Sequence, residues 1–265
     1  MTNPSDLAPT DPLDGLHMRG IVTRRFLVTY PVRQELLLAF VPPGGELVIH
    51  NGLAWVSACF VNIAAMRPSA LPAWTGTGFN YLIHRTMAWL PYPDGKRRRT
   101  VLVLEANINR GVLGLVARRM TGVHFRTRDI DVVDRPESWT VRMRDRGDLL
   151  YEAEIDKASI GTQTPTGSQF TNASEADRIL LGVSFGAQWD PDSRSIKLLA
   201  ETHEPWKTFV GACTTRRHAL LTSFGVQEAK ADHVITMTDI PHYFALRGLV
   251  VPCSADRAGL SHQRS

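Results

Sequence analysis

The clearest pattern of apolar and polar positions runs from Arg99 to Glu105 (RTVLVLE), a β-branched, apolar run of strand length. Immediately after it the period changes. Across Asn109 to Thr121 (NRGVLGLVARRMT), Val112, Leu115, Val116 and Met120 recur on one face at helical spacing, and Gly122 follows as a C-cap. Arg118 and Arg119 stand in the last turn, where a cation opposes the negative end of the helix dipole. The pattern predicts a helix that connects two strands.

Further strands are predicted at Phe79 to Leu90, His124 to Val133, Trp139 to Arg144 and Leu149 to Ile155, the last two joined through Arg146-Gly147-Asp148. Ser184 to Trp189 and Ile196 to His203 flank the turn Asp190-Pro-Asp-Ser193, and Val234 to Met237 and Tyr243 to Val251 supply two closing strands. Asn51-Gly52 favours a type I′ turn because both central residues need positive φ, so Glu46 to His50 and Leu53 to Ala65 read as a hairpin. Ile21 to Tyr30 fits strand or helix. Arg33 to Phe40 reads as a short helix stopped by Pro42, Pro43, Gly44 and Gly45. Residues 158 to 173 are a Ser/Thr/Gly-rich loop, Ser174-Glu-Ala-Asp177 opens a short helix with capping-box spacing, and a last helix is predicted near Gly211 to Phe224.

These elements describe one mainly β (α+β) domain over residues 16 to 253 with about three peripheral helices, between flexible tails at 1 to 15 and 254 to 265. So many strands in one domain must hide their edges, which points to a closed or nearly closed barrel.

Composition adds limits. The chain has 265 residues, 43% hydrophobic and 21% charged, which is globular and excludes collagen, coiled-coil and low-complexity classes. No apolar run reaches the roughly 18 residues that span a bilayer, and MTNPSDLAPTDPLDG lacks the features of a signal peptide. A cytoplasmic protein without a membrane partner is expected. Cys59, Cys213 and Cys253 form no CxxC pair and no zinc spacing, and nine scattered histidines include no i, i+4 pair, so neither a disulfide framework nor a metal site is expected. Cys59 lies in the apolar run AWVSACFVNIAA and reads as a core residue.

Lysine supplies only five cations (Lys96, Lys157, Lys197, Lys207 and Lys230). Residues 96 to 146 hold 13 Lys+Arg against 6 Asp+Glu, so the net +4 of the whole chain is the property of one segment. Its arginines fall on a strand, a helix end and turns, with few aromatics between them to stack on bases, and nucleic acid is not the expected partner. Dinucleotide, Walker, HExxH and GxSxG templates are all missing, and no cofactor is expected.

The succession VTYPVRQELLLAFVPPGGELVIHNGLAWVSACFVNIAAMRPSALP, FNYLIHRTMAW, VLVLEANINRGVLGLVARRMTGVHF and later ETHEPW resembles the YqjF-like family of uncharacterised bacterial proteins, across roughly residues 26 to 250. That family is placed in the acetoacetate decarboxylase-like superfamily. The resemblance implies an antiparallel β-barrel with an internal ligand cavity. True acetoacetate decarboxylases form a Schiff base through a lysine activated by a neighbouring cation. Here Phe125 and Arg126 stand where the lysine pair would be, and a guanidinium stays protonated and cannot form an imine. In the strand FNYLIHR, Tyr81 and Ile83 replace acidic and amide residues of the family pattern while Arg85 matches it. Alternation sets Phe79, Tyr81, Ile83 and Arg85 on one face and Asn80, Leu82 and His84 on the other.

The resemblance therefore implies a barrel that binds a small anionic organic molecule through Arg85, with Tyr81, Arg126, His203 and Trp206 as further contacts. If it is an enzyme, it is a lyase or isomerase-like proton-transfer catalyst on an enolisable acid, with Glu105 or His124 moving the proton. Two alternatives stay open: a non-catalytic ligand-binding or sensor module, and, for Arg85, a buried structural ion pair with Glu105. A homo-oligomer is compatible with either.

Overall fold

Why one strand run is continuously apolar while its neighbours alternate becomes plain from the layers that cover it. The computed structural model describes residues 17–92, 95–181, 185–203 and 207–252, with the side chains at 17, 120–121, 185, 198–203 and 239–252 excepted. The predicted tails at 1 to 15 and 254 to 265 lie outside the described residues, and the first strand starts at His17.

In chain order the elements are β1 (His17–Val32), β2 (Glu46–Leu47), β3 (Ala54–Pro68), β4 (Thr77–Pro91), β5 (Arg97–Ile108), α1 (Gly111–Thr121), β6 (Phe125–Thr127) and β7 (Asp129–Asp134). They continue with β8 (Ser138–Asp145), β9 (Asp148–Asp156), α2 (Ala173–Leu180), β10 (Phe185–Asp190), β11 (Ser195–His203), β12 (Phe209–Gly211), β13 (Cys213–His218), α3 (Ala219–Ser223) and β14 (His233–Pro252). The protein is mostly β. A ten-stranded sheet has the order β2-β4-β3-β1-β14-β11-β10-β5-β6, with β12 on β14 and with β4 also paired to β5. A four-stranded sheet has the order β13-β9-β8-β7.

Both faces of β1 and β3 are covered. Phe26, Val28 and Tyr30 of β1 and Val56, Ala58 and Phe60 of β3 pack with Val141, Met143, Tyr151, Ala153 and Ile155 of the small sheet. Leu27, Trp55, Cys59 and Val61 pack on the opposite side with Phe170 and with Ala176, Ile179 and Leu180 of α2. A strand buried on both faces loses its polar alternation, which is why AWVSACFV is apolar but for Ser57.

Several predictions of local structure differ from the fold. Asn51 and Gly52 do form a left-handed turn (φ 51° and 76°), but it closes only the bridge between His50 and Leu53, and β2 pairs with β4 instead of β3. The segment predicted as a helix near Gly211 to Phe224 is largely β13, which pairs with β9; only Ala219–Ser223 is α-helical. The undecided stretch from Ile21 to Tyr30 is strand, and the two closing strands are one, β14. The short helix after the loop starts earlier than its spacing suggested. Asn172 is its N-cap and accepts from the Glu175 amide at 3.0 Å, while Glu175 accepts from the Thr171 amide at 2.7 Å.

The helix α1 does end on Gly122 in the left-handed region (φ 74°), and it does join two strands, β5 and β6, which pair in parallel. Its apolar face, however, is turned to solvent: Val112 is 78% exposed, Leu115 60% and Val116 47%. The less exposed positions are Leu113, Gly114 and Ala117. A Cβ on Gly114 would lie 2.9 Å from Ile108 Cγ2, so the missing side chain is what lets the helix approach β5. Among the described residues, no helix is long and apolar enough to cross a membrane.

A sharper case of close approach is Gly76, where an added Cβ would stand 2.6 Å from the Cα of Ala65 and 2.7 Å from its carbonyl carbon. Ala65 sits in the irregularity between Ile63 and Met66 of β3 with φ 53°, so this backbone has little freedom to yield. Gly76→Ala is expected to destabilise the fold by about 1–3 kcal/mol, read as a lower denaturant midpoint at unchanged slope.

Candidate functional site

Alternation places His84 of β4 on the same face as Leu82, which lies in the layer between the two sheets. Directly opposite it in register is Glu105 of β5, whereas Arg85 is opposite Val103. Leu104 is thus an extra residue on β5, a bulge of the kind that re-aims side chains beside a site. Two residues on, Asn107 is the register partner of Arg126 on β6, so the short parallel pairing brings the Arg126 guanidinium beside the Glu105 carboxylate.

The contacts follow that geometry. His84 Nδ1 lies 3.2 Å from Glu105 Oε2, and Arg126 Nη1 donates to Glu105 Oε1 at 2.7 Å. Burial alone would raise the Glu105 carboxyl. The hydrogen bond and charge of His84, with Arg126 and Asn107, outweigh it and hold the group at about 2. The carboxylate is therefore ionised at neutral pH, so the His84 nitrogen facing it carries the proton. In a neutral ring that leaves Nε2 as the lone-pair nitrogen.

A second imidazole stands beside the first. His218 ends β13 and is the N-cap of α3, its Nδ1 accepting from the Leu221 amide at 3.3 Å. The rings of His84 and His218 are 4.9 Å apart between centroids, tilted by 44°. Because Nδ1 of His218 is an acceptor, a neutral ring carries its proton on Nε2. Burial, then the charge of His84, push the His218 pKa down to about 2, which keeps that ring neutral. Both Nε2 atoms are buried and have no hydrogen-bond partner among the described residues. One is an acceptor and the other a donor, a pairing assigned from the hydrogen-bond network.

Two tyrosines complete the cluster. Tyr30 of β1 and Tyr151 of β9 meet the His218 ring edge-on, at 4.6 and 5.2 Å between centroids and interplanar angles of 88° and 87°. Their hydroxyls are 3.1 Å apart, and that of Tyr30 is 2.9 Å from Thr215 Oγ1. Burial raises the pKa of both phenols, so both are neutral. All four rings are nearly inaccessible, but the Arg126 side chain is 64% exposed and marks the solvent side of the cluster.

Of the residues expected from the sequence, Glu105 and Arg126 are brought together. Glu105 takes His84 and Arg126 as its partners, in place of the ion pair with Arg85. Arg85 is buried on the other face of β4, where its Nη2 donates to the carbonyl of Leu180 at 2.9 Å. Arg99 donates nearby to the carbonyls of Arg178 and Leu181, so two guanidiniums sit at the C-terminal end of α2, where cations are favoured. Tyr81 lies on the Arg85 side, half-buried, with its ring 6.2 Å from that of Phe79. His124 is exposed just before β6, and its backbone amide donates to Gln188 Oε1 at 2.7 Å. His203 lies on β11, paired with His242, and Trp206 falls outside the described residues.

His84, His218, Tyr30 and Tyr151 were missed in the sequence. His84 had a signal, since alternation sets it opposite Arg85. The other three come from distant strands and carry no local motif. Among the described residues, no group of three or more His, Cys, Asp or Glu is arranged to hold a metal ion.

Comparison with known proteins places this geometry in a family and a fold. Residues 22–241 match the model of DUF2071, described as an uncharacterized conserved protein. No curated protein matches the chain. Among solved structures it is similar to acetoacetate decarboxylase from Legionella pneumophila, at 13% identity over 92% of each chain with a TM-score of 0.62. It is also similar to the enduracididine biosynthesis enzyme MppR complexed with pyruvate (14% identity, 93% of this chain and 94% of that chain, TM-score 0.58). A third is an acetoacetate decarboxylase-like enzyme from Sphingomonas wittichii (11%, 94% and 98%, TM-score 0.60). At these identities the likeness is one of fold.

Proposed function

The chain belongs to DUF2071, a family of uncharacterized conserved proteins that brings no activity with it, and we propose from the site that it binds a small anionic organic acid and transfers a proton at the carbon next to its carbonyl. The scaffold in this reading is an acetoacetate decarboxylase-like β-barrel, supported by pairings that run from β3 through β1, β14, β11, β10, β5 and β4 and return to β3. The observation that carries the function is the pair of buried Nε2 atoms, one acceptor and one donor.

His84, oriented by Glu105, takes the proton on Nε2, and the imidazolium that forms is stabilised by the carboxylate on its other side. The electron pair left on carbon moves to the carbonyl oxygen, which accepts the His218 Nε2–H. Arg126 keeps one nitrogen on Glu105 and offers its remaining N–H groups, from the exposed side, to the carboxylate of the acid. Return of the proton from His84 regenerates the acid. The reading retains Glu105 and Arg126 from the sequence and adds His84 and His218; no covalent imine enters it, because Arg126 cannot form one.

Pyruvate, the acid bound to MppR, is a suitable probe because its methyl protons are enolisable and its carboxylate is anionic. In D2O the protein is expected to replace the pyruvate methyl protons by deuterium, followed as loss of the proton signal, and borohydride added to the mixture should leave the protein mass unchanged. A trapped adduct on any lysine would sink the imine-free mechanism. Saturable binding of pyruvate without exchange would favour the sensor reading, and neither binding nor exchange would remove this acid class.

A further inference from the structure

The two tyrosines are more than a wall. His218 is useful as a donor only if its ring keeps the orientation in which Nδ1 meets the Leu221 amide and Nε2 faces inward. The Leu221 contact, at 3.3 Å, is at the long end for a hydrogen bond, and α3 itself is only five residues long. By itself that contact holds one edge of the ring and leaves rotation about the Cβ–Cγ bond opposed by packing alone. A half-turn of the ring would put carbon where Nδ1 stands and turn the donor away.

Tyr30 and Tyr151 close off that motion from two sides, since each meets the imidazole nearly at a right angle. They come from different sheets, β1 in the large one and β9 in the small one, so they form a clamp across the layer. Their own rings are fixed in turn. The Tyr30 hydroxyl is the centre of a chain that joins Tyr151 on one side and Thr215 on the other. Thr215 is on β13, three residues before His218, so the tether returns to the strand that carries the histidine. A single oxygen thus locks both aromatic jaws to the element that bears the donor.

We infer that Tyr30 is a positioning residue that fixes the ring orientation and tautomer of His218 through its hydroxyl bonds to Tyr151 and Thr215. Its kinetic consequence rests on the proton-transfer reading; its effect on the His218 ring does not. Tyr30→Phe keeps the jaw and deletes the lock. Nitrogen-15 correlation spectra of the histidine side chains should show His218 as a single Nε2–H tautomer in the wild type and as a mixture of tautomers in Tyr30→Phe, with Thr215→Val giving a smaller change. In the pyruvate assay Tyr30→Phe is expected to lower the exchange rate at saturation by about tenfold, leave half-saturation nearly unchanged, and have no further effect in a His218→Gln background.

A His218 spectrum that is identical in Tyr30→Phe, or an equal loss of rate with and without His218, overturns the inference. If the wild type exchanges no pyruvate protons, the functional reading fails while the spectra still decide the role of Tyr30. Should Tyr30→Phe unfold, Thr215→Val, which leaves both rings in place, decides by the same spectra.

Discussion

His84→Gln is expected to slow pyruvate methyl exchange by about 100- to 10,000-fold, the range over which a positioned general base accelerates proton transfer. Glutamine keeps a polar group within reach of Glu105, so the carboxylate retains a partner beside Arg126, but the amide has no basic nitrogen to take the proton. The loss should fall on the rate at saturation, because in the proposed reading Arg126, and not His84, holds the anion. Glu105→Gln tests the same assignment from the other side. An amide facing His84 Nδ1 no longer demands a proton there, so the ring is free to take the wrong tautomer, and the imidazolium loses its counter-charge. Its expected effect is a slower exchange. Exchange by His84→Gln within about threefold of the wild type would remove His84 as the base.

How much of this site was legible in the sequence depends on what kind of information each residue carries. Glu105 and Arg126 are legible because they sit at positions that the family pattern marks, and the helix between their strands ends on a glycine that the fold does use as a left-handed cap. Alternation along β4 correctly separates His84 from Arg85 as well. What alternation does not tell is which face of a strand covered on both sides holds the chemistry, and the family match at Arg85 pointed to the face where α2 packs. His218 was hidden for a different reason. Its segment, CTTRRHALLTS, mixes β-branched and helix-favouring residues, and it is the pairing of Cys213–His218 with β9 that makes it a strand. The apolar face of α1 is a third kind of failure. Helical spacing identifies the stripe of Val112, Leu115 and Val116, but the side that packs inward is selected by Gly114, whose lack of a side chain admits Ile108.

Acid should expose the same site through stability. His218 is neutral and buried in the native state with a pKa near 2, against 6.5 for an ordinary histidine. Between those values the unfolded chain binds a proton that the native chain refuses, so stability falls as pH falls, by about 1.4 kcal/mol per pH unit. Glu105 adds a second loss of the same sign in a lower window. Its folded pKa of about 2 lies under the ordinary 4.5, so the stability it contributes is present above pH 4.5 and is lost as pH falls toward 2. Tyr30 and Tyr151, whose rings meet that of His218, have pKa values raised by burial and stay neutral throughout. The two windows therefore separate, with His218 acting from pH 6.5 downward and Glu105 joining only below 4.5. Denaturant unfolding of the wild type and His218→Gln at a series of pH values isolates the upper one, because the other histidines are common to both proteins. The stability advantage of the wild type is expected to shrink by about 2 kcal/mol between pH 6 and pH 4.5. A difference that stays constant across that range would mean that His218 takes up its proton in the folded state, where its Nδ1 could no longer accept from the Leu221 amide and the tautomer assigned to the site would be lost.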